Sequence, residues 1–376
     1  MNDNAAVKQN AQAAKTVLIM AGGTGGHVFP GLDLASELRQ RGYDIHWLGT
    51  EAGLESRLVP KANIPLHYIP VRGIRGKRLT NILAAPINIL MSVWLALKII
   101  KKINPQVVVG LGGFVAGPGG VAARLLGLPL VIHEQNAVIG TTNKLLAKIA
   151  NRVLCAFPIS ISKAICIGNP VRAEIESLAA PKLRINQRSG ALNILVVGGS
   201  RGAQAINELV PRACALAIKN KAAADGDAVQ VNIWHQAGDK KDAATVDEYQ
   251  QAGVQARVDP FIENMSEALD WADFVICRSG ALTVSELAAA GLGALFIPYP
   301  YAIDDHQTAN AEYLVSAGAA IVKQQSDLDE TTLAEAFESL IFDRNKVCKM
   351  ACLARELARP KAAIHFADYC EEFVNA

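Results

Sequence analysis

Two copies of one local pattern constrain this chain more than anything else in it. An apolar run, Val17-Leu18-Ile19-Met20, leads into Ala21-Gly22-Gly23-Thr24-Gly25-Gly26-His27, and a helical pattern opens near Phe29-Pro30-Gly31. The pattern returns as Ile194-Leu195-Val196-Val197, then Gly198-Gly199-Ser200-Arg201-Gly202-Ala203, with a helix from about Gln204. A strand, a glycine loop and a helix in that order make an anion-binding corner. Glycine lets the backbone approach a ligand, and the helix N-terminus adds unpaired N–H groups and the positive end of a dipole. Two such corners predict two α/β domains facing each other, with phosphate chemistry between them.

The rest of the chain fits that frame. At 376 residues it exceeds one ordinary core. Apolar runs alternate with helical patterns throughout, which predicts βαβ units and parallel sheets. Strands are expected at 17–20, 45–48, 67–69, 107–110, 130–133 and 152–155. A second set is expected at 194–197, 231–234, 255–258, 274–277, 294–297 and 320–322. Each half then holds about six strands, the size of a doubly wound nucleotide-binding domain. The expected division is a polar lead-in over 1–15, a first domain over 16–170 and a second over 171–376. A linker falls within 168–190, and a last helix over 361–374 is free to pack on either half. Glycine clusters at 21–26, 110–120 and 198–202, with Gly280, all fall at strand carboxyl ends, where ligands of open α/β sheets bind.

Composition removes other classes. A net charge of +2 gives no reason to expect a nucleic-acid partner. Seven cysteines occur without a CxxC pair, which suits a reducing cytosolic compartment and gives no structural zinc site. No G-x-x-x-x-G-K-[ST] occurs, and neither glycine loop fits G-x-G-x-x-G. No signal peptide is visible at the N-terminus. The uncharged stretch 81–97 is short for a span and holds Pro86. Within 79–102, Leu83, Ile87, Leu90 and Trp94 recur at helical spacing, flanked by Arg72, Arg75, Lys77, Arg78, Lys98, Lys101 and Lys102. Such a stripe suits either an anionic membrane surface or a helix packed on the sheet.

Several polar groups stand where chemistry would. His27 follows the first glycine loop and could take a proton from a hydroxyl nucleophile, or bond locally at the helix start. Arg278-Ser279-Gly280-Ala281-Leu282-Thr283-Val284-Ser285-Glu286 follows a strand and opens a helix. There Glu286 could accept ribose hydroxyls, or form a capping pair with Thr283. His133-Glu134-Gln135-Asn136 ends an apolar strand. Arg172 follows the rigid turn Asn169-Pro170, and its guanidinium suits a phosphate. Asp304-Asp305 reads as an ordinary polar loop rather than a metal site, and no metal ligand set is expected.

These motifs resemble the MurG family of bacterial peptidoglycan N-acetylglucosaminyltransferases, within glycosyltransferase family 28. The residues that carry the resemblance are Ala21–Gly31 (AGGTGGHVFPG), His133–Asn136 (HEQN), Gly168–Arg172 (GNPVR), Val197–Ala203 (VGGSRGA), Phe261–Met265 and Arg278–Glu286 (RSGALTVSE). They run in family order along nearly the whole chain. The resemblance implies a GT-B fold, two Rossmann-like doubly wound domains around a cleft. It implies inverting transfer of GlcNAc from UDP-GlcNAc to the 4-hydroxyl of the muramyl sugar of lipid I, giving lipid II. It places Ile262 at uracil, Glu286 at the ribose, Ser200 and Arg172 at the diphosphate, and Ala281, Leu282, Thr283, Val284 and Ser285 at the helix start. Asn136, Gln307 and Thr24-Gly25-Gly26 would contact GlcNAc. Gly22, Gly23, Gly112, Gly113, His133 and Glu134 would line the acceptor's diphosphate, and His27 would be the base. No cofactor is required on this reading, with magnesium at most stimulatory. The setting would be the cytoplasmic face of the inner membrane, touched through Leu83, Ile87, Leu90 and Trp94, with cell-wall or division proteins as partners. Phe114 stands where some relatives carry tyrosine, and His306 where some carry a second glutamine.

Two other readings remain open from the sequence. A UDP-GlcNAc 2-epimerase of similar fold would need acids and histidine around the sugar's second carbon. A sensor or scaffold would bind the nucleotide sugar without turnover.

Overall fold

The computed structural model describes residues 15–71, 85–199, 202–225, 230–340 and 342–374. Its strands gather into two wholly parallel sheets. The first takes β1 (Thr16–Ala21), β2 (Asp44–Gly49), β3 (Leu66–Tyr68), β4 (Val107–Gly112), β5 (Leu130–Glu134), β6 (Arg152–Cys155) and β7 (Ala164–Cys166) in the order β3-β2-β1-β4-β5-β6-β7. The second takes β8 (Leu192–Val197), β9 (Val231–Gln236), β10 (Ala256–Asp259), β11 (Phe274–Cys277), β12 (Gly293–Phe296) and β13 (Ala320–Val322) in the order β10-β9-β8-β11-β12-β13. Both contain the doubly wound order in which the chain reverses direction beside the first strand, so each has its crevice at a glycine corner.

Burial explains the strands. Val17 to Ala21 and Val107 to Leu111 are fully buried, as strands covered on both faces must be. Alternate residues feed separate cores. Val17 and Ile19 meet Leu34 and Leu38 of the helix Gly25–Gln40, while Leu18 and Met20 meet Ala96, Ile100 and Val115 on the other face. The pairing of β1 with β4 shifts register between Met20 and Ala21, just where the two glycine loops begin.

Two features depart from the sequence expectation, and a third falls within a choice it left open. β7 is an added seventh strand in the first sheet, only three residues long at an edge. The segment expected to be a linker is folded: Ile175 and Ile185 are buried in the cores of the second half, and Arg184 donates to the carbonyls of Ala290 and Gly291. The helix Ala362–Val374 returns to the first sheet, where Phe366, Ala367 and Cys370 are buried beside β1 and β4 residues. Arg41 pairs there with Asp368 and Glu371 at 2.7 and 2.8 Å.

The helix Ala85–Ile103 packs on the first sheet by one face and leaves part of its stripe outside. Its inward face carries Ser92, Ala96 and Ile100. Ile87, Leu90 and Trp94 point outward, 65%, 70% and 52% exposed, and Lys98 lies 3.5 Å from the Trp94 ring. These three residues are therefore not core. Leu83 lies outside the described residues. No helix among the described residues is long and apolar enough to cross a membrane.

Candidate active site between two glycine-lined sheet edges

The halves meet along the carboxyl ends of their strands, and buried amides tie them together. Asn310, fully buried, accepts from the Ala137 N–H at 2.8 Å and donates to Asn136 Oδ1 and the Ser279 carbonyl, both at 3.3 Å. Asn169, also buried, donates to the Gln135 carbonyl, the Ala281 carbonyl and Ser285 Oγ. The segment after β5 thus lies against the start of the helix Ala281–Ala290, which follows β11.

His27 sits in the first turn of Gly25–Gln40. Its Nδ1 is 3.5 Å from Thr24 Oγ1, the local contact expected of a helix-start histidine. The other edge of the ring lies against Gly112, whose φ is +106°: a Cβ there would come within 3.0 Å of Nε2. Desolvation lowers the imidazole pKa below its ordinary value; Glu134 and Glu55 oppose this, and His306 from the second half adds to it. A lowered pKa keeps the ring neutral at neutral pH, the form that accepts a proton.

The second half contributes Glu286 and Arg172, which pair at 3.2 Å. Burial raises the Glu286 carboxyl pKa, and the guanidinium opposes that shift. Asp33, further along the helix that carries His27, interacts electrostatically with both, and burial lifts its carboxyl to about 6. The capping reading of Glu286 fails, because the helix begins at Gly280, the N-cap, three residues before Thr283. Val284 donates its N–H to the Gly280 carbonyl. Ala281 and Val284 are buried, whereas Leu282, Thr283, Ser285 and Glu286 are partly exposed.

Other expected residues are committed internally. His133 donates from Nε2 to the Gly168 carbonyl at 2.9 Å and stacks on Phe366, with burial bringing its pKa down to about 4. Glu134 accepts from the N–H groups of Asn136 and Gly140 and from both the Asn136 and Asn143 side-chain amides. Both are buried, so they shape the turn after β5. Gly22 and Gly23 lie over a buried carboxylate. The buried Glu55 carboxylate accepts the Gly23 N–H at 2.9 Å, the Thr50 N–H at 2.8 Å and the Thr50 hydroxyl at 2.7 Å. A diphosphate at this loop would meet an amide already engaged and a like charge behind it. Gly113, with φ +76°, brings the loop after β4 against the Gly22 carbonyl, which a side chain would strike.

Ile262 donates its N–H to Gln236 Oε1 at 2.9 Å, so a base contact at Ile262 falls to its carbonyl. Gln307 Oε1 accepts the Tyr299 N–H at 2.9 Å. Gly25 and Gly26 form the first turn ahead of His27. Ser200 lies outside the described residues; the flanking Gly199 and Gly202 have φ of +85° and +67°. Among the described residues, no three His, Cys, Asp or Glu side chains come together as a metal site. Sequence reasoning missed Glu55, Asp33 and Asn310, because no motif marks them and their roles arise only from tertiary packing.

Two Rossmann-type sheets joined at their carboxyl edges, with His27 at a helix start on the first and the Glu286–Arg172 pair on the second, have the GT-B architecture. Residues 17–155 match the glycosyltransferase family 28 N-terminal domain and residues 193–364 its C-terminal domain. The chain belongs to glycosyltransferase family 28. A relative from Saccharophagus degradans, named UDP-N-acetylglucosamine–N-acetylmuramyl-(pentapeptide) pyrophosphoryl-undecaprenol N-acetylglucosamine transferase, is 53% identical over 96% of this chain and 92% of its own. One of the same name from Nitrosococcus oceani is 50% identical over 96% and 99%. The crystal structure of Acinetobacter baumannii MurG aligns with a TM-score of 0.82 at 42% identity, covering 95% of this chain and 99% of that one. A calicheamicin glycosyltransferase, CalG4, aligns at 0.67 with 17% identity over 96% and 98%, a likeness of fold alone.

Proposed function

We propose that this protein transfers N-acetylglucosamine from UDP-GlcNAc to the 4-hydroxyl of the muramyl sugar in lipid I, giving lipid II, with inversion. The observation that carries the reading is the near full-length identity to relatives named for that transfer. The site chemistry supports it. With Nδ1–H directed to Thr24 Oγ1, the lone pair of His27 Nε2 is available beside Gly112. The acceptor's 4-oxygen bonds to the anomeric carbon, its proton passes to Nε2, and the bond to the diphosphate breaks with its electron pair leaving on UDP. Glu286 accepts the ribose hydroxyls, Arg172 and Ser200 meet the diphosphate with the Ala281–Ser285 amides, and Ile262 meets the base. Asn136, Gln307 and the Thr24-Gly25-Gly26 turn contact the sugar. Aiming donors at the charge that develops on UDP is the usual main source of stabilisation in such a transfer. Magnesium, where it stimulates, acts on the substrates' own diphosphates.

The test is UDP release from UDP-GlcNAc with and without a lipid I analogue. Acceptor-dependent release is expected. Release without acceptor would favour an epimerase or hydrolase, and binding without release a sensor.

The same reading brings the protein to the cytoplasmic face of the inner membrane. Ile87, Leu90 and Trp94 project from one helix whose last turn carries Lys101 and Lys102. An apolar face beside basic residues suits anionic headgroups. The triple variant Ile87→Ser, Leu90→Ser, Trp94→Ser should lose binding to anionic liposomes in a sedimentation assay while its melting temperature holds. Undiminished liposome binding would remove this helix as the contact.

A further inference from the structure

We propose that Glu55 is a positioning residue for His27. The proposal rests on His27 being the base. Glu55 opens the helix Glu55–Lys61 and is fully buried beneath the first glycine loop. Its surroundings have been cleared for it. A Cβ at Gly22 would lie 2.6 Å from Oε1, one at Gly49 would lie 2.7 Å from Cγ, and one at Gly53 would overlap the carboxylate. The glycines around it therefore serve this side chain as well as any ligand.

The carboxylate and its neighbour hold one residue, Gly23, by the peptide groups on both sides of it. Glu55 Oε2 accepts the Gly23 N–H, and the Leu54 N–H donates to the Gly23 carbonyl at 3.4 Å. Gly23 has φ +95°, which only glycine adopts freely. The next residue is Thr24, the N-cap of the His27 helix, whose hydroxyl lies at His27 Nδ1. The chain of control runs from Glu55 to the Gly23 peptide, to Thr24, to the imidazole. Thr50 fixes the other carboxylate oxygen through its N–H and hydroxyl.

All three partners of Glu55 are donors, which suits the ionised form. Its charge also acts on the ring. The titratable groups that face His27 are Glu55, Glu134 on β5 and His306 on the helix His306–Val315 of the second half. The two carboxylates favour the imidazolium that forms when the acceptor hydroxyl loses its proton.

The test is Glu55→Gln in the full chain, assayed as acceptor-dependent UDP release. The expected result is a kcat lower by about tenfold, within the range of a misplaced general base. KM for UDP-GlcNAc and affinity for UDP should stay within about twofold, because this residue lies on the other side of the junction. The acid limb of the kcat profile should move to lower pH, since removing a negative charge lowers the His27 pKa. Glu55→Asp keeps the charge and should restore the limb. In a His27→Ala background, Glu55→Gln should cost nothing further. Equal loss in both backgrounds, or a weakened UDP affinity, would overturn the proposal. Wild-type turnover by His27→Ala alone would instead overturn the base, and that result is read separately. If Glu55→Gln does not fold, Thr50→Val removes one donor from the carboxylate; it should show the same kcat-selective loss in smaller measure, and a KM effect would count against Glu55.

Discussion

His27→Ala is expected to lower kcat by about a hundredfold to a thousandfold, the span usual for losing a general base. UDP affinity should stay near normal, because the proposed ribose and diphosphate contacts, Glu286 and Arg172, lie on the second half. Burial lowers the His27 pKa below the ordinary imidazole value, with Glu134 and Glu55 opposing and His306 adding. A base works when deprotonated, so wild-type turnover should persist into mildly acid solution and fall only as pH drops below that lowered pKa. UDP release measured across pH, beside calorimetric titration with UDP, separates the two effects. Turnover near wild type would remove His27 as the base.

Glu286→Ala should weaken UDP-GlcNAc binding by about tenfold to a hundredfold, the equivalent of one or two hydrogen bonds to a charged group. Acceptor affinity should change little. Glu286 is paired with Arg172 at 3.2 Å and has its carboxyl pKa raised by burial. Truncation therefore removes the proposed ribose acceptor and also frees the guanidinium from its partner. Glu286→Gln keeps one acceptor oxygen and should lose less. The comparison is of dissociation constants for UDP-GlcNAc and of KM for the lipid I analogue. Equal loss on both would place Glu286 in the general structure of the junction instead.

Much of this architecture was legible because parallel sheets write themselves as apolar runs. β6, β11 and β13 fall where such runs end, and their bounds match the residues read from the sequence. The glycine corners were legible because a strand, a glycine loop and a helix form one local unit. What escaped was set by partners far along the chain. β7 is three partly buried residues within a run of only four apolar residues, Ala164–Ile167, too short to stand out. The stripe Ile87, Leu90 and Trp94 has helical spacing whichever way it faces, and only packing on the sheet decides which face is buried. His133 and Glu134 are half of the polar quartet His133–Asn136, which reads as functional because polar groups at a strand end usually are. Their bonds to Gly168, Gly140 and Asn143 depend on how β5 meets its neighbours. Glu55 lies in a stretch with no motif, and its importance appears only once Gly22, Gly49 and Gly53 surround it.

The return of Ala362–Val374 to the first sheet means that the chain crosses between the halves twice. The crossings run side by side: a side chain at Gly168 would strike Arg359, and Glu176 accepts the Lys361 N–H through both carboxylate oxygens. A single tether lets two bodies swivel freely about it. Two adjacent tethers suppress that swivel and leave one soft direction, a bending about the line they share. Any opening and closing of the cleft would then retrace one path, bringing the helix that carries Asp33 and His27 back to the Glu286–Arg172 pair in the same register.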